Sequence, residues 1–313
     1  MAHIYDTIVI GGGPAGTSAA LYAARLGGKV LLLDKGLQQS ATGTMDKLLD
    51  FPGVGDKPSG EALLKRMRWQ AKDAGAEVRD IEVTSVALSI SGRIILAKDH
   101  RGEHKFESRS VILATGCAHP SNALPGEVEL RGKGVCYSVL RDAYAYRQQA
   151  VAVFGKSAAA ADAVLQLAQI CEAVTFIIPG TRLEIPEDVM EKLKHHQRVH
   201  LLLSTSIKEI RGTGAVQEIV LLSSGQEKIQ PIAAVFLNHQ DMHAETGYLG
   251  GSVELGERGI VLVNNDLMTN LPSVFACGDI LTAEPQLPAL ASAQGIMAGI
   301  QTARFVRSAR EPT

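Results

Sequence analysis

Three glycines and an acid lie at a spacing that can hold a dinucleotide. Gly11, Gly13 and Gly16 form a G-x-G-x-x-G turn after the apolar run Thr7-Ile8-Val9-Ile10, with Pro14 and Ala15 before the last glycine. The first glycine makes the tight turn and the second lets backbone approach a pyrophosphate. The third allows close packing of helix on strand. A helix opening here faces the phosphates with its positive end. Asp34 closes the next strand, where its carboxylate can accept from a ribose hydroxyl, and Lys35 follows it. Four cysteines (Cys117, Cys136, Cys171 and Cys277) are the other reactive groups. They are too few and too scattered for a secreted disulfide scaffold or a zinc site.

The elements that must position these groups alternate between strand-like apolar runs and helical stretches, which predicts α/β architecture with parallel sheets. The first βαβ unit runs from the strand at Thr7–Ile10 through a helix over Gly16–Leu26 to a strand over Lys29–Leu33. A second unit starts at Val151-Ala152-Val153-Phe154, turns at Gly155, continues as a helix over Ala158–Ala168 and returns as a strand over Ala173–Ile178. Val111-Ile112-Leu113-Ala114-Thr115-Gly116 and Val274-Phe275-Ala276-Cys277-Gly278-Asp279 are related strand-and-turn segments on either side of that second unit. The expected fold is therefore two Rossmann-like, three-layer nucleotide-binding domains. One comprises residues 1–116 and 244–313, and the other, residues 117–243, is inserted in it.

The 313 residues carry a formal net charge of −2, so no basic footprint points to nucleic acid or an anionic membrane. No apolar run is long enough to span a bilayer, and the first residues lack a signal-peptide pattern. The expectation is a cytoplasmic protein.

Gly11-Gly12-Gly13-Pro14-Ala15-Gly16, Asp50-Phe51-Pro52-Gly53, Ala114-Thr115-Gly116, Leu124-Pro125-Gly126 and Gly278-Asp279 occur in an order and spacing that resembles low-molecular-weight thioredoxin reductases, as does the stretch from Gln286 to Gly299. The resemblance covers nearly the whole chain. It implies a homodimer whose FAD domain contains an inserted pyridine-nucleotide domain. It also implies that Thr115, Gly116, Gly278 and Asp279 contact FAD, and that Gln286, Leu287 and Ala293-Gln294-Gly295-Ile296 lie near the isoalloxazine. Pro285 stands where the family has Arg.

The departures from that plan are informative. The second nucleotide turn reads Gly155-Lys156-Ser157-Ala158-Ala159-Ala160, so Ser157 replaces a glycine at the pyrophosphate approach and adds a Cβ there. Ile178-Pro179-Gly180 stands where the family's His-Arg-Arg clamps the 2′-phosphate. Leu237-Asn238-His239 replaces its glycine near the nicotinamide. Together these losses predict that NADPH is not the donor. The family's Cys-x-x-Cys positions match Ser138 and Arg141, which cannot cycle between dithiol and disulfide.

Cys117, Cys136 and Cys277 fall at motifs that converge on the flavin. Two readings stay open for them. One is a relocated redox pair, first among them Cys117 with Cys136, and the other is small buried side chains beside a cofactor. Tyr137, Tyr144 and Tyr146 either stack on a flat ligand, such as a second FAD in the vacated NADPH site, or cap a core at its rim. His239 and His243 read as proton donors or as polar surface.

The expected activity is an FAD-dependent exchange of electrons with a thiol/disulfide partner, of protein or small-molecule kind, or with a ferredoxin-like carrier. The alternatives are a thioredoxin-reductase-like ferredoxin–NADP reductase and a flavin-binding sensor or assembly protein without turnover.

Overall fold

The structure is a computed structural model and describes residues 4–55, 58–89, 92–118, 123–183, 185–238, 243–282 and 285–309. It divides into two compact units, Met1–His119 with Met242–Thr313, and Pro120–Asp241.

The first unit is built on the strands β1 (Ile4–Ile10), β2 (Val30–Asp34), β3 (Glu77–Asp80), β4 (Glu82–Leu88), β5 (Arg93–Asp99) and β6 (Gly102–Leu113). They lie in the order β3-β2-β1-β6-β5-β4. The long strand β6 serves two purposes. Its first half pairs antiparallel with β5, and its second half runs parallel to β1. Strands β1 and β2 are buried almost end to end, as expected for parallel strands covered on both faces.

Helix α1 (Pro14–Arg25) is an alanine-rich helix that starts two residues earlier than its apolar pattern suggested, because Pro14 is well suited to a first helical position. Helix α2 (Gly60–Asp73) is capped by Ser59, whose hydroxyl accepts from Ala62 N. The chain leaves this unit at β7 (Cys117–Ala118).

In the second unit the strands are β8 (Val135–Cys136), β9 (Ala150–Phe154), β10 (Ala173–Ile177), β11 (Val199–Leu202), β12 (Thr205–Arg211), β13 (Glu218–Ser223), β14 (Gln226–Pro231) and β15 (Ala234–Leu237). A parallel sheet in the order β11-β10-β9-β15-β8 is accompanied by the antiparallel sheet β12-β13-β14. The helices are α3 (Val139–Asp142), α4 (Ala158–Ile170) and α5 (Glu187–His195). Val164, Leu167, Phe176 and Phe236 fill its core.

The chain returns to the first unit at β16 (His243–Ala244), which pairs antiparallel with β7. Strand β17 (Val274–Ala276) then adds parallel to β6, and α6 (Pro288–Ser308) closes the unit. Helices α1 and α6 cross closely. A Cβ on Gly295 would lie 2.0 Å from Ala15 O, and one on Gly299 2.5 Å from Ala19 O. These two glycines let backbone rest on backbone, and that contact brings the α6 N-terminus to the nucleotide turn.

Candidate functional site

The β1–α1 turn opens onto a cleft in the first unit. Its walls include Gly11–Ala15, Asp34, Lys35, Ser40–Thr42, Ala114–Cys117, Tyr248 and Asp279. The glycines of the turn divide their tasks. Gly11 has φ +103°, and a Cβ there would meet Ala114 O at 2.3 Å; one on Gly16 would meet Gly11 O at 1.8 Å. Both are required by the protein's own packing. Gly13 differs, since a Cβ there would find only Ser40 Oγ, at 3.6 Å. Its backbone lies bare toward the cleft, as a pyrophosphate cradle requires.

Gly13 is also the N-cap of α1 and supplies no side-chain hydrogen bond to the helix, so the first N–H groups of α1 remain available to an anion. Thr17 ties the turn down, its hydroxyl lying 2.9 Å from Gly12 O and 2.8 Å from Gly13 O.

Asp34 is buried at the end of β2. Its Oδ1 accepts from Gly12 N at 2.9 Å, and its Oδ2 accepts from Gly36 N at 3.1 Å and from Arg68. Lys35 is exposed on the cleft rim. Thr115 Oγ1 donates to Glu245 O at 2.7 Å and lies 3.4 Å from Tyr248 Oη. Tyr248 is held well above the usual phenol pKa, chiefly by burial. Gly116 (φ +71°) and Gly278 (φ +83°) both take the left-handed backbone. Gly278 N donates to Gln294 Oε1 at 2.8 Å, so Gln294 braces the Gly278-Asp279 turn. Leu287 is the N-cap of α6.

Gln286 is buried, and its Nε2 has no hydrogen-bond partner among the described residues. A buried donor of this kind awaits an acceptor. The bare Gly13 backbone, the uncapped start of α1 and the Gln286 amide all suit a flavin dinucleotide.

The four cysteines have different settings. Cys117 lines the cleft, and its thiol donates to Asp279 O at 3.2 Å. Its pKa is pushed up to about 12, first by burial and then by the Asp279 charge. Cys277 is wholly buried among Val9, Ile112 and Ala114, and burial raises it to about 12. Cys136 lies in the core of the second unit and is held well above the ordinary thiol value, chiefly by burial. Cys171 belongs to that same core. All four are free thiols.

Ser138 and Arg141 are engaged locally. The Ser138 hydroxyl accepts from Arg141 N at the start of α3, and the Arg141 guanidinium grips Asp142 through two bonds of 2.8 Å. Tyr137 donates to the fully buried Glu127 at 2.8 Å, with Arg131 over its ring. Tyr146 stands edge-on to Phe236, and Tyr144 is exposed beneath Arg147. His243 is exposed; His239 lies outside the described residues.

In the second unit the β9–α4 turn is arranged differently from its counterpart. Ser157 caps α4 with its own hydroxyl, which accepts from Ala160 N at 3.1 Å and donates to Asn238 Oδ1 at 2.9 Å. A Cβ on Gly155 would lie 3.1 Å from Asn238 Cβ, so the Asn238 side chain packs directly on this turn.

The sequence reading missed Thr17, Ser40, Thr42, Arg68, Glu245 and Tyr248. Only Thr17 carried a local signal, because a threonine four residues after Gly13 can bond back to the turn. Among the described residues there is no group of His, Cys, Asp and Glu fit to hold a metal ion, and no helix is long and apolar enough to cross a membrane.

Two Rossmann-like units, one inserted in the other along the chain, with a bare glycine cradle in the outer one, define a two-domain flavoprotein architecture. Residues 5–295 match the family described as pyridine nucleotide-disulphide oxidoreductase. The chain is 35% identical to a thioredoxin reductase of Aquifex aeolicus over 97% of its own length and 94% of the relative's. It is 30% identical to a thioredoxin reductase of Peptoclostridium acidaminophilum, over 98% and 99% respectively. The crystal structure of thioredoxin reductase from Streptococcus pyogenes superposes with a TM-score of 0.89 at 25% identity, covering 98% of this chain and all of the other. The chain belongs to the thioredoxin reductase-like branch of the pyridine nucleotide-disulphide oxidoreductase family, a family of flavin-dependent oxidoreductases.

Proposed function

We propose that the protein binds one FAD in the first unit and exchanges electrons between it and a thiol/disulfide or protein redox carrier, without pyridine nucleotide as the donor. The observation that carries this reading is the contrast between the two nucleotide turns. The α1 start presents bare glycine backbone and free N–H groups. At the α4 start, the Ser157 hydroxyl caps the helix and bonds to the Asn238 side chain, which supports the reading that no pyrophosphate is held there. The same obstruction bears on a second flavin there, so the expected count is one per chain.

FAD, when bound, supplies reversible one- or two-electron transfer. Gly13 gives the pyrophosphate access to backbone, and Asp34 accepts from the ribose. Gln286 offers its buried amide to the ring system. With Ser138 and Arg141 in place of the relatives' dithiol pattern, electrons reach the carrier at the cleft itself, beside Cys117.

The test is a flavin count on the purified protein, followed by anaerobic reduction with NADPH, NADH, a dithiol and a reduced ferredoxin in parallel. One flavin per chain, bleached by dithiol or ferredoxin and not by pyridine nucleotide, is the expected result. Fast bleaching by micromolar NADPH overturns it.

A further inference from the structure

We infer that Arg68 is a positioning residue for the adenosine end of the cofactor. It fixes the Asp34 carboxylate so that a single oxygen, Oδ1, is left to accept from the ribose. This rests on the FAD reading above.

Arg68 projects from α2 among positions that otherwise bury Leu63, Leu64 and Ala71. An apolar residue would serve packing there at lower cost, since a guanidinium taken from water must recover its hydration through partners. Arg68 is only 8% exposed, and its Nε has no partner among the described residues. Its NH1 reaches Asp80 at 2.8 Å, but that carboxylate is largely exposed, and a solvated partner recovers little. The interaction that accounts for Arg68 is therefore the buried one with Asp34.

Each carboxylate oxygen offers two lone-pair directions. Oδ2 of Asp34 uses both, one for Gly36 N and one for Arg68. Oδ1 uses one, for Gly12 N. One acceptor direction remains, so the site recognises the ribose through one hydrogen bond instead of a bidentate pair. Asp34 and this guanidinium together explain Gly12, the variable position of the turn. A Cβ there would lie 2.9 Å from Arg68 NH2 and 2.7 Å from the Asp34 side chain. Arg68, Asp34 and Gly12 form one packed unit beneath the cofactor's ribose.

The experiment measures binding of FAD, and of FAD analogues with 2′-deoxy- or 3′-deoxyadenosine, to stripped apoprotein by flavin fluorescence quenching. Wild type should lose about tenfold in affinity for one of the two deoxy analogues and little for the other, the worth of one charge-assisted bond. Arg68→Met should bind FAD about tenfold more weakly and no longer distinguish that analogue from FAD. Arg68→Lys, which keeps the charge without the fork, should fall between and secures the test should the Met variant fold poorly. An unchanged FAD-to-analogue ratio in both variants overturns the inference while leaving the cofactor assignment intact. So does equal discrimination against both analogues by wild type. Apoprotein of the wild type that takes up no FAD overturns the cofactor assignment and this inference with it.

Discussion

Ser157 Oγ donates to Asn238 Oδ1 at 2.9 Å across 81 residues of sequence, and the proposed exclusion of a dinucleotide from the second unit rests on this pair. One of the first N–H groups of the helix behind it, that of Ala160, is already taken by the Ser157 hydroxyl, so on the proposed reading a phosphate competes with a formed cap worth about 1 kcal/mol and with the Asn238 side chain.

The first prediction follows from that pair. Wild type should bind NADPH and NADH too weakly for calorimetry at micromolar concentrations. Replacing both Ser157 and Asn238 by glycine should raise the affinity for an ADP-containing nucleotide by about tenfold or more, the cap and the obstruction being removed together. An affinity unchanged by the double substitution would show that the pair is not what excludes the nucleotide.

A second prediction separates structural glycines from the ligand-facing one. Gly13 has an ordinary φ of −69° and open space beside it. Gly13→Val should therefore fold with a melting temperature near that of the wild-type apoprotein, yet purify without flavin. Gly16→Val puts its Cβ onto Gly11 O and should fail to give soluble protein. Full yellow occupancy in Gly13→Val would remove the pyrophosphate from this turn.

The legible part of this protein was the part written in local spacing. Gly11, Gly13, Gly16 and Asp34 declare a dinucleotide turn because strand, turn, helix and strand follow one another within a few residues. The two-unit organisation was legible because a second such set stands inside the first. Arg68 and Tyr248 carried no such signal. Arg68 reaches Asp34 over 34 positions through the packing of α2 on the sheet, and Tyr248 meets Thr115 over 133. The cysteines show the same limit from the other side. Cys277 adjoins Gly278-Asp279 in sequence, but the alternation set by β17 turns its side chain into the core, whereas Cys117, the first residue of β7, faces the cleft.

Gln286 should respond with opposite signs in apoprotein and holoprotein. Its Nε2 is buried without a partner among the described residues, a state that costs about 1–3 kcal/mol. Gln286→Met, similar in shape and lacking the donor, should raise the melting temperature of the stripped protein. The same change should weaken flavin binding and shift the visible flavin band. Stabilisation of both forms alike would mean that the amide serves no ligand.

The last prediction concerns pH. Burial lifts Cys117 and Cys277 to about 12, against about 8.5 for a thiol in an unfolded chain. The folded state thus holds protons that the unfolded state gives up first. The stability this represents is complete below about pH 8.5 and is lost progressively as pH rises toward 12. Denaturant midpoints should be flat from pH 7 to 8 and fall above pH 9, with a shallower fall in Cys277→Ala. The same shift governs reactivity, because the thiolate is the species that attacks. Native protein should show four free thiols after denaturation in air. Cys117, the one on the cleft wall, should be the first alkylated, at a rate climbing about tenfold per pH unit between 7 and 10 as its thiolate fraction grows. A Cys117 that alkylates rapidly at pH 7, or a loss of two thiols on air oxidation, would restore a cysteine relay. Electron transfer to the carrier would then pass through sulfur instead of leaving the cleft directly.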